Sequence, residues 1–132
     1  MARILIVDDH PNIVRLLQAT LAPEHEVLTA FNGEDALKLV AERHPEVILL
    51  DVILPGIDGY AVLERVKSNP ETAGTTVIML TVKDKRADML VGLAVGSDYY
   101  VPKPFDAKDV AALIRRHLVA VEGKAVEAGT GG

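Results

Sequence analysis

The feature that most constrains this chain is an alternation. Short apolar or β-branched runs are separated by longer stretches whose apolar residues fall at helical spacing. Ile4-Leu5-Ile6-Val7 and Val47-Ile48-Leu49-Leu50 are continuous runs, as expected of strands buried on both faces. Thr76-Val77-Ile78-Met79-Leu80 reads the same way, and Tyr99-Tyr100-Val101 is a shorter fifth run. Glu26-Val27-Leu28-Thr29-Ala30 is less apolar and belongs nearer a sheet edge. Between them lie helical stripes: Ile13, Leu16, Leu17 and Leu21; Ala36, Leu37 and Val40; Tyr60, Val62, Leu63 and Val66; a stretch from Ala87 to Val95; and Val110, Leu113, Ile114 and Leu118. Each crossover is long enough for a helix, so the pattern predicts an α/β fold, a parallel sheet with helices on both faces.

With 132 residues the chain is one domain, expected over 1–121. The small, glycine-rich end at 122–132 reads as a flexible tail or linker stump. There are no cysteines, which removes disulfides, thiolate metal sites and cysteine nucleophiles. Fourteen basic residues stand against nineteen acidic ones, a net charge of −5, and aromatics are 4%. Neither suits direct nucleic-acid binding by phosphate contacts or base stacking. No stretch reaches the length of a membrane span, and the first apolar run is too short for a signal peptide, so a cytoplasmic location is expected.

In an open parallel sheet, ligands bind outside the carboxyl ends of the strands. The residues expected at that rim are Asp8 and Asp9 after the first strand, Asp51 after the third, Thr81 after the fourth and Lys103 after the fifth. Two carboxylates about 4 Å apart repel by roughly 4 kcal/mol at an effective dielectric near 20. A proton or a cation must relieve that. Mg2+ suits an all-oxygen site with few carboxylates, and Asp8, Asp9 and Asp51 are its candidate ligands. An aspartate beside such an ion is a plausible phosphoryl acceptor, with Lys103 and Thr81 contacting phosphoryl oxygens.

At this point the residues show a family likeness. From about Ala2 to about Val121 the chain resembles the receiver domain of bacterial response regulators, of the chemotaxis-regulator-like kind. The motifs are Val7-Asp8-Asp9, Leu50-Asp51 with Pro55-Gly56-Ile57-Asp58-Gly59, Leu80-Thr81 and Lys103-Pro104-Phe105. Each alone is weak; in order, on strand ends, they are specific. The resemblance implies a doubly wound, flavodoxin-like three-layer sandwich with five parallel strands in the order 2-1-3-4-5. It implies a two-component signalling switch in which Asp51 accepts a phosphoryl group from a sensor histidine kinase or phosphotransfer protein. Asp8, Asp9, Asp51 and the main-chain carbonyl of Ile53 would hold Mg2+. Thr81 would follow the phosphoryl group, Tyr100 would change rotamer, and the Lys103–Pro104 bond would be cis. The remodelled face of the 87–95 helix, the fifth strand and the last helix would control a downstream output protein or domain. The chain would be a monomer or a weak phosphorylation-promoted dimer, catalysing only its own phosphotransfer and dephosphorylation.

The chain departs from the family pattern in two places. Val82 stands where a small residue is usual, and predicts slower reaction with small phosphodonors than in Val82→Ala. Tyr99 stands where an acid is common. The rival readings are an aspartyl-phosphate phosphatase or phosphotransferase, a flavodoxin-like cofactor carrier and a receiver-like docking module. The first lacks a second carboxylate two residues after Asp51, and Asp8-Asp9-His10 would repel the second's phosphate. Residue by residue, bland roles also exist: Asp8 and Asp9 as helix caps, Thr81 as a cap, Lys103 as a solvated lysine, Tyr100 as a core aromatic. Asp58-Gly59 reads as a turn and helix entry. The four histidines, His10, His25, His44 and His117, show no metal spacing and read as surface residues.

Overall fold

The computed structural model describes residues 2–82 and 96–131. The strands are β1 (Arg3–Val7), β2 (Glu26–Ala30), β3 (Val47–Asp51), β4 (Thr76–Val82) and β5 (Tyr99–Lys103). The helices are α1 (Pro11–Leu21), α2 (Gly33–Arg43), α3 (Gly59–Ser68) and a C-terminal helix (Ala107–Gly131). All strand pairings are parallel, and the order is β2-β1-β3-β4-β5. This is the sandwich the sequence predicts. The helix expected over 87–95 lies outside the described residues.

Alternation along the central strands builds two cores. Leu5, Val7, Ile48, Leu50, Val77 and Met79 face one side, where Ala36 and Val40 of α2 and Val62, Leu63 and Val66 of α3 meet them. Ile4, Ile6, Val47, Leu49, Ile78 and Leu80 face the other, against Val14, Leu17 and Leu21 of α1 and Val110 and Ile114 of the C-terminal helix. A strand with helices on both faces must be apolar at every position, which is why β1 and β3 carry unbroken runs. β2 is only half-buried over most of its length, as its mixed composition predicts for an edge.

Local chemistry sets the helix ends. Asn32 caps α2, accepting from the Asp35 N–H at 2.8 Å while its own amide donates to the Asp35 carboxylate. His44 then closes α2 in the left-handed region at φ 48°. Asp58 caps α3 through the Ala61 N–H at 2.9 Å, the turn-and-entry role read from Asp58-Gly59. Gly59 has a packing reason: a Cβ there would lie 2.2 Å from the Asp51 carbonyl oxygen. The close approach seats α3 directly behind the end of β3.

Two elements differ from their predicted bounds. β5 continues to Lys103 through Pro102. An edge strand tolerates proline because the missing N–H faces no partner. The C-terminal helix runs to Gly131, well past Leu118, the last residue of the predicted stripe. Its later residues include Ala, Glu and Lys, good helix formers that offset glycines costing about 1 kcal/mol each.

Candidate functional site

The carboxyl edge of the sheet gathers Asp8, Asp51, Thr81 and Lys103 because four adjacent parallel strands end there. Asp8 follows β1 directly and is fully buried. Its Oδ1 accepts the His10 N–H at 2.9 Å and lies 2.7 Å from His10 Nδ1. Its Oδ2 accepts from Lys103 Nζ at 3.1 Å. Asp9, the next residue, is exposed. Asp51 closes β3 and is 4% exposed. Its Oδ1 accepts the Ile53 N–H at 3.2 Å.

Among the described residues the remaining oxygen of Asp51, Oδ2, meets no hydrogen-bond donor in bonding geometry. Lys103 Nζ stands 3.2 Å away as an ion pair, and His10 Nδ1 stands at 3.8 Å. Burial, followed by the negative charge of Asp8, pushes the Asp51 carboxyl above the usual carboxylate range. The Lys103 ammonium and the Ile53 N–H oppose this without cancelling it. The carboxylate is therefore held where its charge is poorly solvated. Thr81, 2% exposed in β4, likewise has a hydroxyl without a hydrogen-bond partner among the described residues. Buried polar atoms are normally satisfied, so two unsatisfied oxygens on neighbouring strands point to a missing ligand.

One ligand atom each from Asp8, Asp9, His10 and Asp51 lie within 4.8 Å of one another. The donor set suits a divalent cation, and the buried Asp51 Oδ2, which shares the Lys103 ammonium with Asp8, is what such an ion would relieve. Lys103 precedes Pro104 through a cis bond, and its side chain is mostly buried against the acids. Ile53 is 60% exposed beside Asp51. Tyr100 packs against the core on the α2–α3 side, and its hydroxyl donates to the Tyr60 hydroxyl at 3.1 Å. Val82 ends β4, and its side chain lies outside what the structure describes.

Sequence reasoning did not give the contacts of three histidines or the pairing of two tyrosines. His10, read as a surface residue near the acidic rim, turns its ring onto the acids. The His25 side chain is 7% exposed, and its Nδ1 accepts the Ala2 N–H at 3.1 Å. Burial pulls its pKa below the ordinary histidine value. His117 is half-buried; its Nε2 meets Thr76 Oγ1 at 2.7 Å and its Nδ1 meets the Tyr99 hydroxyl at 2.9 Å. Tyr99, placed where an acid is common, thus serves a contact inside the chain. The Tyr60–Tyr100 pair spans forty residues, and no local spacing signals it.

A family model described as the response regulator receiver domain matches residues 4–115. The response regulator PleD of Caulobacter vibrioides is 43% identical over 115 residues, covering 86% of this chain and 25% of that protein. The chain therefore spans about a quarter of the length of the curated relatives it matches. Among solved structures, the BeF3-activated receiver domain of DrrB, a Thermotoga maritima regulator, is 35% identical with a TM-score of 0.81, covering 89% of this chain and 97% of that one. The chemotaxis response regulator CheY4 of Vibrio cholerae is 30% identical with a TM-score of 0.82, covering 88% and 98%. With the strand order, the acidic rim and these likenesses in agreement, the chain belongs to the response regulator receiver domains of two-component signalling.

Proposed function

We propose that this receiver is a phosphorylation-dependent switch whose phosphoryl acceptor is Asp51. The observation that carries the reading is the state of Asp51 Oδ2: buried, without a hydrogen bond and 3.2 Å from the Lys103 ammonium. Oδ2 attacks phosphorus, a P–O bond forms, and the P–N bond of a donor phosphohistidine breaks with its electron pair returning to the imidazole. Lys103 holds one phosphoryl oxygen as a point charge, and the Thr81 hydroxyl donates to another. Asp8, Asp9, Asp51 and the carbonyl of Ile53 are the residues that would hold Mg2+. When bound, the ion neutralises charge between the carboxylates and the phosphoryl oxygens. The acceptor oxygen has almost no surface of its own, so entry of phosphorus requires exposed neighbours such as His10 and Ile53 to part.

A phosphoryl group adds roughly −1.5 to −2 charges at pH 7. Thr81 and Lys103 move toward it, and the Tyr100 ring turns with the β4 end. The face of β5 and the C-terminal helix then presents a different surface to an output protein or domain. The partners are a histidine kinase or phosphotransfer protein upstream and that output downstream, in the cytoplasm. The chain catalyses only its own phosphotransfer and dephosphorylation. No helix among the described residues is long and apolar enough to cross a membrane.

The test is intact mass after incubation with acetyl phosphate and Mg2+. A gain of one phosphoryl group in the native protein, absent in Asp51→Asn, is the expected result. Equal gain in both proteins would reject Asp51 as acceptor.

A further inference from the structure

Tyr60 and Tyr100 meet through their hydroxyls at 3.1 Å, Tyr100 donating. Both rings are half-buried against the core on the α2–α3 side. Tyr60 follows Gly59 at the start of α3, and that start is fixed to the end of the acceptor strand. The Gly59 N–H donates to the Val52 carbonyl at 2.8 Å, and a Cβ at Gly59 would lie 2.2 Å from the Asp51 carbonyl oxygen. The Asp58 carboxylate caps the same turn through the Ala61 N–H. Tyr60 is therefore held by backbone directly behind Asp51. Tyr100 belongs to β5, two strands from β3 in the sheet. It stands in register with Met79 of β4, and Thr81 lies two residues beyond Met79. Side chains two apart in a strand share a face, so Thr81 and Tyr100 lie on the same side of the sheet. Met79 packs in the α2–α3 core, which fixes the side. Thr81, 2% exposed, has no hydrogen-bond partner among the described residues. Tyr100 is thus seated on Tyr60 while the Thr81 hydroxyl is not engaged.

We infer that Tyr60 is a positioning residue for the switch: its hydroxyl latches the Tyr100 ring in the resting arrangement, and this bond must break before the ring can turn. This role rests on the phosphorylation switch proposed above and adds to it the group that opposes switching. The latch is anchored to the acceptor's own strand end, whereas the ring it holds shares a face with Thr81. Movement of Thr81 toward a phosphoryl group opens space beside Tyr100, and the ring leaves Tyr60 to enter it. A bond made in one of two states shifts their ratio by its own worth. One net intramolecular hydrogen bond changes an equilibrium by about two- to tenfold. Tyr60 therefore sets how much of the chain is switched before phosphorylation. Phenylalanine at this position keeps the ring and its packing and removes only the oxygen.

The test uses the full chain with beryllofluoride and Mg2+ as the probe, for the native protein, Tyr60→Phe, Tyr100→Phe and the double variant. Ring 13C spectra of the native protein should show the Tyr100 signal moving as beryllofluoride is added. The expected result is an apparent beryllofluoride affinity about two- to tenfold tighter in Tyr60→Phe, since the resting state has lost its latch. A merely structural loss would leave that affinity unchanged or weaken it. In the Tyr100→Phe background, Tyr60→Phe should change the affinity no further, because the pair is already broken. An unchanged or weaker affinity in Tyr60→Phe overturns the latch. The same gain in both backgrounds also overturns it, since the hydroxyl then acts on something other than Tyr100. If beryllofluoride binds the native protein but not Asp51→Asn, and the Tyr100 signal stays still, the acceptor stands and the latch alone is overturned. If it binds the native protein and Asp51→Asn equally, the acceptor reading fails, and the latch fails with it.

Discussion

The two ends of the sheet treat their polar groups in opposite ways. At the amino end, charges and hydroxyls find partners. Lys67 of α3 donates to the Thr75 carbonyl at 2.6 Å and pairs with Asp98 at 3.0 Å. The same Asp98 oxygen accepts the Val77 N–H at 2.8 Å, tying the approach to β5 onto the start of β4. His117 bridges Thr76 and Tyr99, holding the C-terminal helix to β4 and β5. Arg3, Glu26 and Arg43 interlock beside the start of β2. At the carboxyl end, buried Asp8 and Asp51 repel across one lysine, and Asp51 Oδ2 and Thr81 Oγ1 lack hydrogen bonds. One end is satisfied by the chain itself; the other is incomplete without something from outside. A single fold can thus hold a stable frame and a poised site because the strands separate them by their own length.

The contrast concerns charge and not packing, and the largest expected effect shows this. Gly59→Ala would force a methyl to within 2.2 Å of the Asp51 carbonyl, where backbone cannot yield cheaply. Overpacking of this kind costs about 3 kcal/mol. Chemical denaturation of Gly59→Ala measures it, and a loss near zero would mean the carboxyl end is loose as well as unpaired. Next comes Lys103→Met. Loss of one preorganised charge stabiliser typically costs about 10²–10³ in rate. Phosphorylation by acetyl phosphate should slow by about that factor while the fold persists, measured by the time course of mass gain. A near-native rate would remove Lys103 from the site.

At the amino end, Lys67→Met leaves the Thr75 and Ala73 carbonyls and the Asp98 carboxylate short of a donor. Stability should fall by about 1 kcal/mol, the usual net worth of hydrogen bonds and ion pairs at partly exposed groups. Urea unfolding reads it, and a neutral variant would mean that the paired end is paired in appearance only. The smallest expected effect is on pH dependence. Burial depresses the His25 pKa in the folded chain. The unfolded chain then binds the extra proton more readily near pH 6.5 and below. His25 accordingly contributes stability that is full above that pH and is lost as pH falls through the folded value. Melting temperatures from pH 7.5 to 5 should drop less steeply in His25→Gln than in the native protein. Equal slopes would show that His25 is not buried neutral.

Much of this was readable before any coordinates. Asp8, Asp51, Thr81 and Lys103 each close or end an apolar run, and in a parallel sheet such ends share one edge. Two-sided burial followed from the unbroken runs in β1 and β3, whereas the strand order came from the family resemblance. The histidines were not readable in this way. His117 is held by a partner forty-one residues away, and His25 by the amide of Ala2, so neither carries a periodic signal. The ring of His10 depends on a rotation about one residue, set by Pro11 and Asp8, which spacing alone does not reveal. At the end of the chain, where glycines suggested a tail or linker stump, the helix continues to Gly131.

The most direct measurement compares thermal unfolding of Asp51→Asn and Asp98→Asn side by side in metal-free buffer. Removing the crowded charge at the carboxyl end should raise the melting temperature, because burial and Asp8 both disfavour it. Removing the paired charge at the amino end should lower it, because Lys67 loses its counter-ion. Opposite signs are the predicted result; a destabilised Asp51→Asn would contradict the account, since its carboxylate would then be contributing to the fold.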